Sequence, residues 1–131
     1  MSAPLLLSLT ALRVTDLVRS AEFYEQCGFV RERSFATGTF DAVILRAGAS
    51  GIELIAPHGD PAPVEHGSMF TKLVCNTDDV AGVMRAACAR GGTAEMPPTA
   101  RAEFAGRTIG TVRDPDGYLI EFVSPAAQPA R

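Results

Sequence analysis

After its first few residues the chain runs through apolar and β-compatible positions over 5–14, and then Leu17, Ala21 and Tyr24 recur at helical spacing behind Asp16. An Asp directly before such a stretch predicts a helix N-cap, because its carboxylate accepts the unpaired N–H groups of the first turn. Gly28 predicts the helix end, since glycine takes the left-handed conformation that closes a helix without strain. Residues 29–35, 40–46 and 52–56 then read as three short strands, separated by glycine-containing turns over 37–39 and 48–51. The order is β-α-β-β-β. The Pro-rich stretch 57–63 reads as a linker, because repeated prolines cannot extend a strand ladder.

The same order returns. Ile52-Glu53-Leu54-Ile55-Ala56-Pro57 and Ile120-Glu121-Phe122-Val123-Ser124-Pro125 share one pattern at an offset of 68 residues. Thr15-Asp16-Leu17 matches Asp78-Asp79-Val80, and Gly28-Phe29 matches Gly91-Gly92, more loosely and at an offset of 63. The second copy has a strand near 69–76 and a helix near 80–90 with Val80, Val83, Met84 and Ala87 on one face, closed by Gly91-Gly92. Strands follow near 93–94, 107–113 and 118–123, the last two joined by the turn sequence Asp114-Pro115-Asp116-Gly117. The predicted class is α+β, a single domain of two βαβββ modules, with module 1 over about 5–57, a linker over about 58–67, module 2 over about 68–125 and a tail over 126–131.

Composition narrows the setting. At 131 residues and 47% apolar content the chain has enough apolar material for one ordinary core. Its longest apolar run falls far short of the roughly 20 residues needed to cross a bilayer, and the early leucines lack the basic flank of a secretion signal. Cys27, Cys75 and Cys88 are odd in number and lack metal-type spacing, which argues against a disulfide framework and for inert thiols in a cytoplasmic setting. The net charge of −3 and the scattered basic residues exclude a nucleic-acid footprint, which leaves small molecules as the expected partners.

Three runs carry a resemblance: Leu12-Arg13-Val14-Thr15-Asp16-Leu17 with Arg19-Ser20 and Phe23-Tyr24, then Gly28-Phe29, and at the other end Asp114-Pro115-Asp116-Gly117-Tyr118-Leu119-Ile120-Glu121. Together with the repeat they resemble the vicinal-oxygen-chelate superfamily of glyoxalase I, bleomycin-resistance proteins and extradiol dioxygenases. The resemblance implies sheets curled into a half-open cup that holds the ligand, commonly completed by a second subunit as a homodimer. It also implies, in metal-dependent members, one divalent ion held by two histidines from the first strand of each module and two glutamates from the last.

Here Glu53 and Glu121 fill the glutamate positions, while the histidine positions hold Leu9 and Lys72. Leucine has no donor atom and an ammonium repels a divalent cation, so neither a metal nor another cofactor is expected. Both glutamates lie among apolar neighbours in sequence. Either they stand on edge strands facing water, or each needs a cation, a proton or a metal, because an unpaired buried carboxylate costs several kcal/mol. Lys72 is a candidate counter-ion between Glu53 and Glu121; the alternatives are an ammonium that reaches solvent from a strand end, or another partner.

Candidate ligand contacts are Leu9, Arg13, Phe40, Phe70, Phe104, Arg113 and Tyr118, with Phe35 a further lining aromatic. The arginines offer forked hydrogen bonds to an anion or carbonyl, with surface salt bridges as the plainer reading. The aromatics suit a cup wall or plain core. The segment 97–106 reads as a mobile flap. His58 and His66 read as exposed linker residues, and His66 stands about 20 Å of extended chain before Lys72.

Two functional classes follow. One is a metal-independent lyase- or isomerase-type enzyme with Glu53 or Glu121 as general base and Lys72 or an arginine steadying an oxyanion. The other is a binding protein that holds an antibiotic-type compound, the acidic pair facing its positive group. A metal-dependent lactoylglutathione-lyase-like enzyme is a third, which the loss of both histidines weighs against.

Overall fold

The computed structural model describes residues 5–59 and 62–125. Its first half contains β1 (Leu9–Arg13), α1 (Leu17–Cys27), β2 (Val30–Ala36), β3 (Phe40–Ala47) and β4 (Ser50–Pro57). The second contains β5 (Leu73–Asn76), α2 (Val80–Ala89), β6 (Thr93–Ala100), β7 (Thr108–Arg113) and β8 (Leu119–Val123), with a 3-10 turn at Ala102–Phe104. The chain divides into two compact units, Met1–Pro63 and Val64–Arg131. Residues 60 and 61 of the expected linker and the 126–131 tail lie outside the described residues.

Each unit carries one four-stranded open sheet, ordered β1-β4-β3-β2 in the first and β5-β8-β7-β6 in the second. In both, the first strand runs parallel to the last and the other pairings are antiparallel. A parallel neighbour requires a crossover. The predicted α+β class and the βαβββ duplication are both present.

The helices form where capping and spacing predict them. The Asp16 carboxylate accepts the Arg19 N–H at 3.0 Å, and Gly28 closes α1 at φ 113°. Asp79 accepts the Gly82 N–H at 2.9 Å and starts α2 in the same way. Helix α1 buries Ser20, Ala21, Phe23 and Tyr24, with Leu17 only half-buried, and packs on β3 and β4. Helix α2 buries Val80, Met84 and Ala87 against β7 and β6, with Val83 half-buried. The first core gathers Leu12, Val14, Leu45 and Leu54 around Phe23 and Tyr24, whose rings meet edge to face at 5.0 Å. The second gathers Val112, Ile120 and Phe122.

Three boundaries differ from the sequence reading. Strand β1 starts at Leu9, and the apolar Leu5, Leu6 and Leu7 before it are exposed. Strand β5 starts at Leu73, four residues later than the apolar run suggests. Strand β6 runs on to Ala100 through Pro97 and Pro98, so the first part of the expected flap is sheet. The physical reason is position: β6 is an edge strand, and its pairing with β7 breaks register between Met96 and Thr99, where the missing proline N–H groups cost no ladder bond.

Candidate functional site

The register of the sheets fixes the surroundings of both glutamates. Strand β4 lies between β1 and β3, and β8 lies between β5 and β7, so neither glutamate stands on an edge strand. Glu53 is paired with Ala11 on one side and Ile44 on the other, and Ile44 with Arg33 beyond. Glu121 is paired with Val74 and Thr111, and Thr111 with Met96. Directly paired residues share a face of the sheet. The two carboxylates therefore occupy the same scaffold position in each unit, with different neighbours.

In the second unit, Lys72 lies one residue before β5 and its Nζ donates to Glu121 Oε1 at 2.8 Å. The Glu121 side chain keeps 17% of its surface and Lys72 37%. The carboxylate end is therefore largely removed from water while the ammonium end remains open to an incoming group. Lysine has three N–H donors, and one bond to Glu121 leaves two for other acceptors. In the first unit Glu53 is half-buried, and no described side chain of that unit bonds to its carboxylate. Leu9, two positions before Ala11, supplies only hydrocarbon.

Both candidate arginines are engaged within the protein. Arg13 forks onto the Ala62 and Pro63 carbonyls at 3.1 and 2.9 Å, holding the end of the first unit against β1. Arg113 pairs with Glu95 at 3.1 Å and donates to the Gly117 carbonyl at 3.0 Å, so the plainer salt-bridge reading describes it. Phe40 is half-buried and meets Phe35 edge to face at 6.2 Å. Phe104 is exposed on the 3-10 turn.

Tyr118 is buried, with His66 edge-on at 4.8 Å and Phe70 at 6.0 Å. His66 is half-buried rather than exposed: its Nε2 donates to the Asp116 carbonyl at 2.8 Å. A carbonyl only accepts, so this nitrogen carries the proton. The turn it docks on is braced from inside by the buried Asp114, whose Oδ1 accepts the Asp116 and Tyr118 N–H groups, both at 2.9 Å. Among the cysteines, burial pushes the Cys75 thiol up, which suits an inert group. Cys88 is exposed near the end of α2.

Sequence reasoning missed Thr111, Val74, Ala11 and Ile44 as neighbours of the carboxylates. Their strands were legible, but only the register sets which residues oppose one another.

A βαβββ unit repeated once, with a glutamate at the matching position of each last strand, defines a class of α+β proteins built by duplication. The chain belongs to the Glyoxalase/Bleomycin resistance protein/Dioxygenase superfamily, whose family model matches residues 6–122. It is 32% identical to a lactoylglutathione lyase of Haemophilus influenzae over 87% of this chain and 88% of that protein. It is 28% identical to a putative lactoylglutathione lyase of Brassica oleracea over 89% of this chain, which spans 43% of that longer protein. The crystal structure of glyoxalase I from Zea mays superposes with a TM-score of 0.81 at 24% identity, covering 94% of this chain and 46% of the maize chain.

The donor set does not fit the divalent ion of metal-dependent relatives. Leu9 offers no lone pair, and Lys72 brings a positive charge already bonded to Glu121 at 2.8 Å. No group of three or more His, Cys, Asp or Glu side chains among the described residues is placed to hold an ion. No helix among the described residues is long and apolar enough to cross a membrane.

Proposed function

We propose that this protein is a metal-independent enzyme of the lyase or isomerase type that acts on a small carbonyl compound. The observation that carries the reading is the 2.8 Å ion pair between Lys72 and Glu121 on a central strand face. An ammonium and a carboxylate held side by side suit proton abstraction next to a carbonyl. The carboxylate takes the α-proton, the electron pair moves onto the carbonyl oxygen, and the ammonium donates a hydrogen bond to the resulting oxyanion. Returning the proton to the neighbouring carbon gives an isomerase, and expelling a leaving group gives a lyase. Glu53, at the equivalent position of the first unit, is the second candidate base.

The test is exchange of α-protons for deuterium in D2O, followed by proton NMR across a panel of small aldehydes, ketones and their thiol adducts. Exchange lost in Glu121→Gln with the fold intact supports the reading. Stoichiometric zinc, nickel, iron or manganese in the purified protein would sink it.

One observation favours a second reading. Glu53 stands half-buried between Ala11 and Ile44 with no described cation of its unit bonded to it, which suits recognition of a positive group on a bound compound. A protein of that kind, functioning as a homodimer or alone, returns its ligand chemically unchanged.

A further inference from the structure

The first unit carries a cleft that the carboxylate site does not use. It lies between α1 and the β2–β3 hairpin and has a volume of about 640 Å³. Sites for small organic molecules typically enclose roughly 300–1,000 Å³. Its wall is largely hydrocarbon, from Leu17, Ala21 and Val43 among others, with Glu22, Arg31 and Asp41 as the charged groups.

The charges do not cancel. Arg31 is held by Glu25 at 2.8 Å, which satisfies its positive charge outside the cleft. Asp41 meets His58 at 3.0 Å, an exposed pair whose histidine carries charge only when protonated. No described cation bonds to the exposed Glu22. An apolar trough with a surplus of negative charge at its rim selects for a molecule with a hydrocarbon body and one positive end.

The duplication supplies an internal control. The second unit has a cleft at the matching place, between α2 and β6, of about 300 Å³. At the offset of 63, Glu22 corresponds to Arg85, while Ser34 and Phe35 correspond to Pro97 and Pro98. Each of these residues lines its own cleft. The packing of a helix on a hairpin produces a trough in both units, but the first is larger and acidic and the second smaller and basic.

We infer that the α1/β2–β3 cleft binds a small aryl- or alkylammonium compound, with the hydrocarbon portion against Ala21 and Val43 and the ammonium at Glu22. The inference does not depend on the Lys72–Glu121 chemistry. It is tested on the full chain by amide chemical-shift titration with 4-phenylbutylammonium, its neutral counterpart 4-phenylbutanol and its anionic counterpart 4-phenylbutyrate. The expected result is saturable shifts confined to the amides of residues 17–22 and 34–43 for the ammonium. Binding falls about five-fold for the alcohol, as for the loss of one partly solvated ion pair, and further for the carboxylate. Glu22→Gln erases the preference of the ammonium over the alcohol. Ser34→Trp, at an exposed strand position, fills the trough and abolishes the shifts while the remaining spectrum reports an intact fold. Equal binding of the three probes, an absence of saturation, or shifts that map equally to α2 and β6 overturns the inference.

Discussion

The two units carry the same backbone and the same glutamate, yet they leave that glutamate in opposite electrostatic conditions. Glu121 has Lys72 at 2.8 Å and Thr111 and Val74 beside it. Glu53 has Ala11 and Ile44 beside it, and where Lys72 would stand the first unit has Leu9. The sheet topology decides where the carboxylate stands, while single side chains one or two positions away decide whether it is neutralised. A partly buried carboxylate without a counter-charge stays open to a cation, whereas a paired one holds an ordered ammonium beside it. The comparison thus assigns the ordered electrostatic centre to the second unit and the unsatisfied charge to the first.

The sharpest way to break that assignment is to remove the charges one at a time. If the second unit holds the chemistry, Glu121→Gln lowers the α-proton exchange rate by about 100-fold or more, the usual contribution of a positioned base. Lys72→Met lowers it by a similar factor of about 100 through the oxyanion, and Glu53→Gln has the smaller effect. The reverse order, with Glu53→Gln the more damaging, moves the base to the first unit.

Packing offers the next contrast. Tyr24 and Ala87 stand at equivalent helical positions, offset by 63, and both are completely buried. Tyr24→Ala empties a large volume and is expected to cost about 3–5 kcal/mol in urea unfolding. Ala87→Tyr forces extra volume beneath α2, with an expected cost of about 1–3 kcal/mol or more. A cost for Tyr24→Ala below that of an exposed substitution such as Val18→Ala would show that the first core is not organised around this ring.

The helix caps test the likeness of the units rather than their difference. Asp16→Ala and Asp79→Ala each remove one bond to a first-turn N–H and are expected to cost about 1 kcal/mol. Gly82→Ala separates them, because a methyl there would meet the Asp79 carboxylate, so it disturbs the α2 cap with no counterpart at Arg19. Equal unfolding midpoints for Gly82→Ala and the parent chain would remove the Asp79 cap from the account.

Much of this architecture was legible before the structure. Asp16, Asp79 and Gly28 announce helix ends by chemistry that acts within a few residues, and the repeat of Ile-Glu at 52 and 120 announces equivalent strands. Local rules fail where the determinant is a distant strand. The prolines at 97 and 98 argue against a strand until β6 is known to be an edge. His66 looks like a linker residue until its Nε2 is seen against the Asp116 carbonyl, 50 residues away. The glutamates, and the choice of Leu9 and Lys72 at the partner positions, were readable as residue types. Their neighbours Thr111 and Ile44 were not, since strand register depends on turn geometry and on the packing of both faces together.

The smallest expected effect concerns pH and again has no counterpart in the second unit. The side-chain hydrogen bond to Asp41, reinforced by the Coulombic attraction of its carboxylate, raises His58 above its ordinary value of 6.5. A histidine whose folded value is raised binds its proton more tightly folded than unfolded. Its contribution to stability is therefore fully present below about 6.5, the unfolded value, and fades as pH rises through the folded value. The pair is exposed, so solvent and salt screen it and the effect is slight. His58→Gln should therefore reduce the loss of stability between mildly acidic and mildly alkaline pH, as read from urea midpoints at low salt, and added salt should reduce the same loss in the parent chain. If His58→Gln leaves the pH dependence of the midpoint unchanged, the Asp41 contact does not persist in solution. The Asp41 rim of the ammonium cleft would then carry its full negative charge at every pH where the carboxylate is ionised.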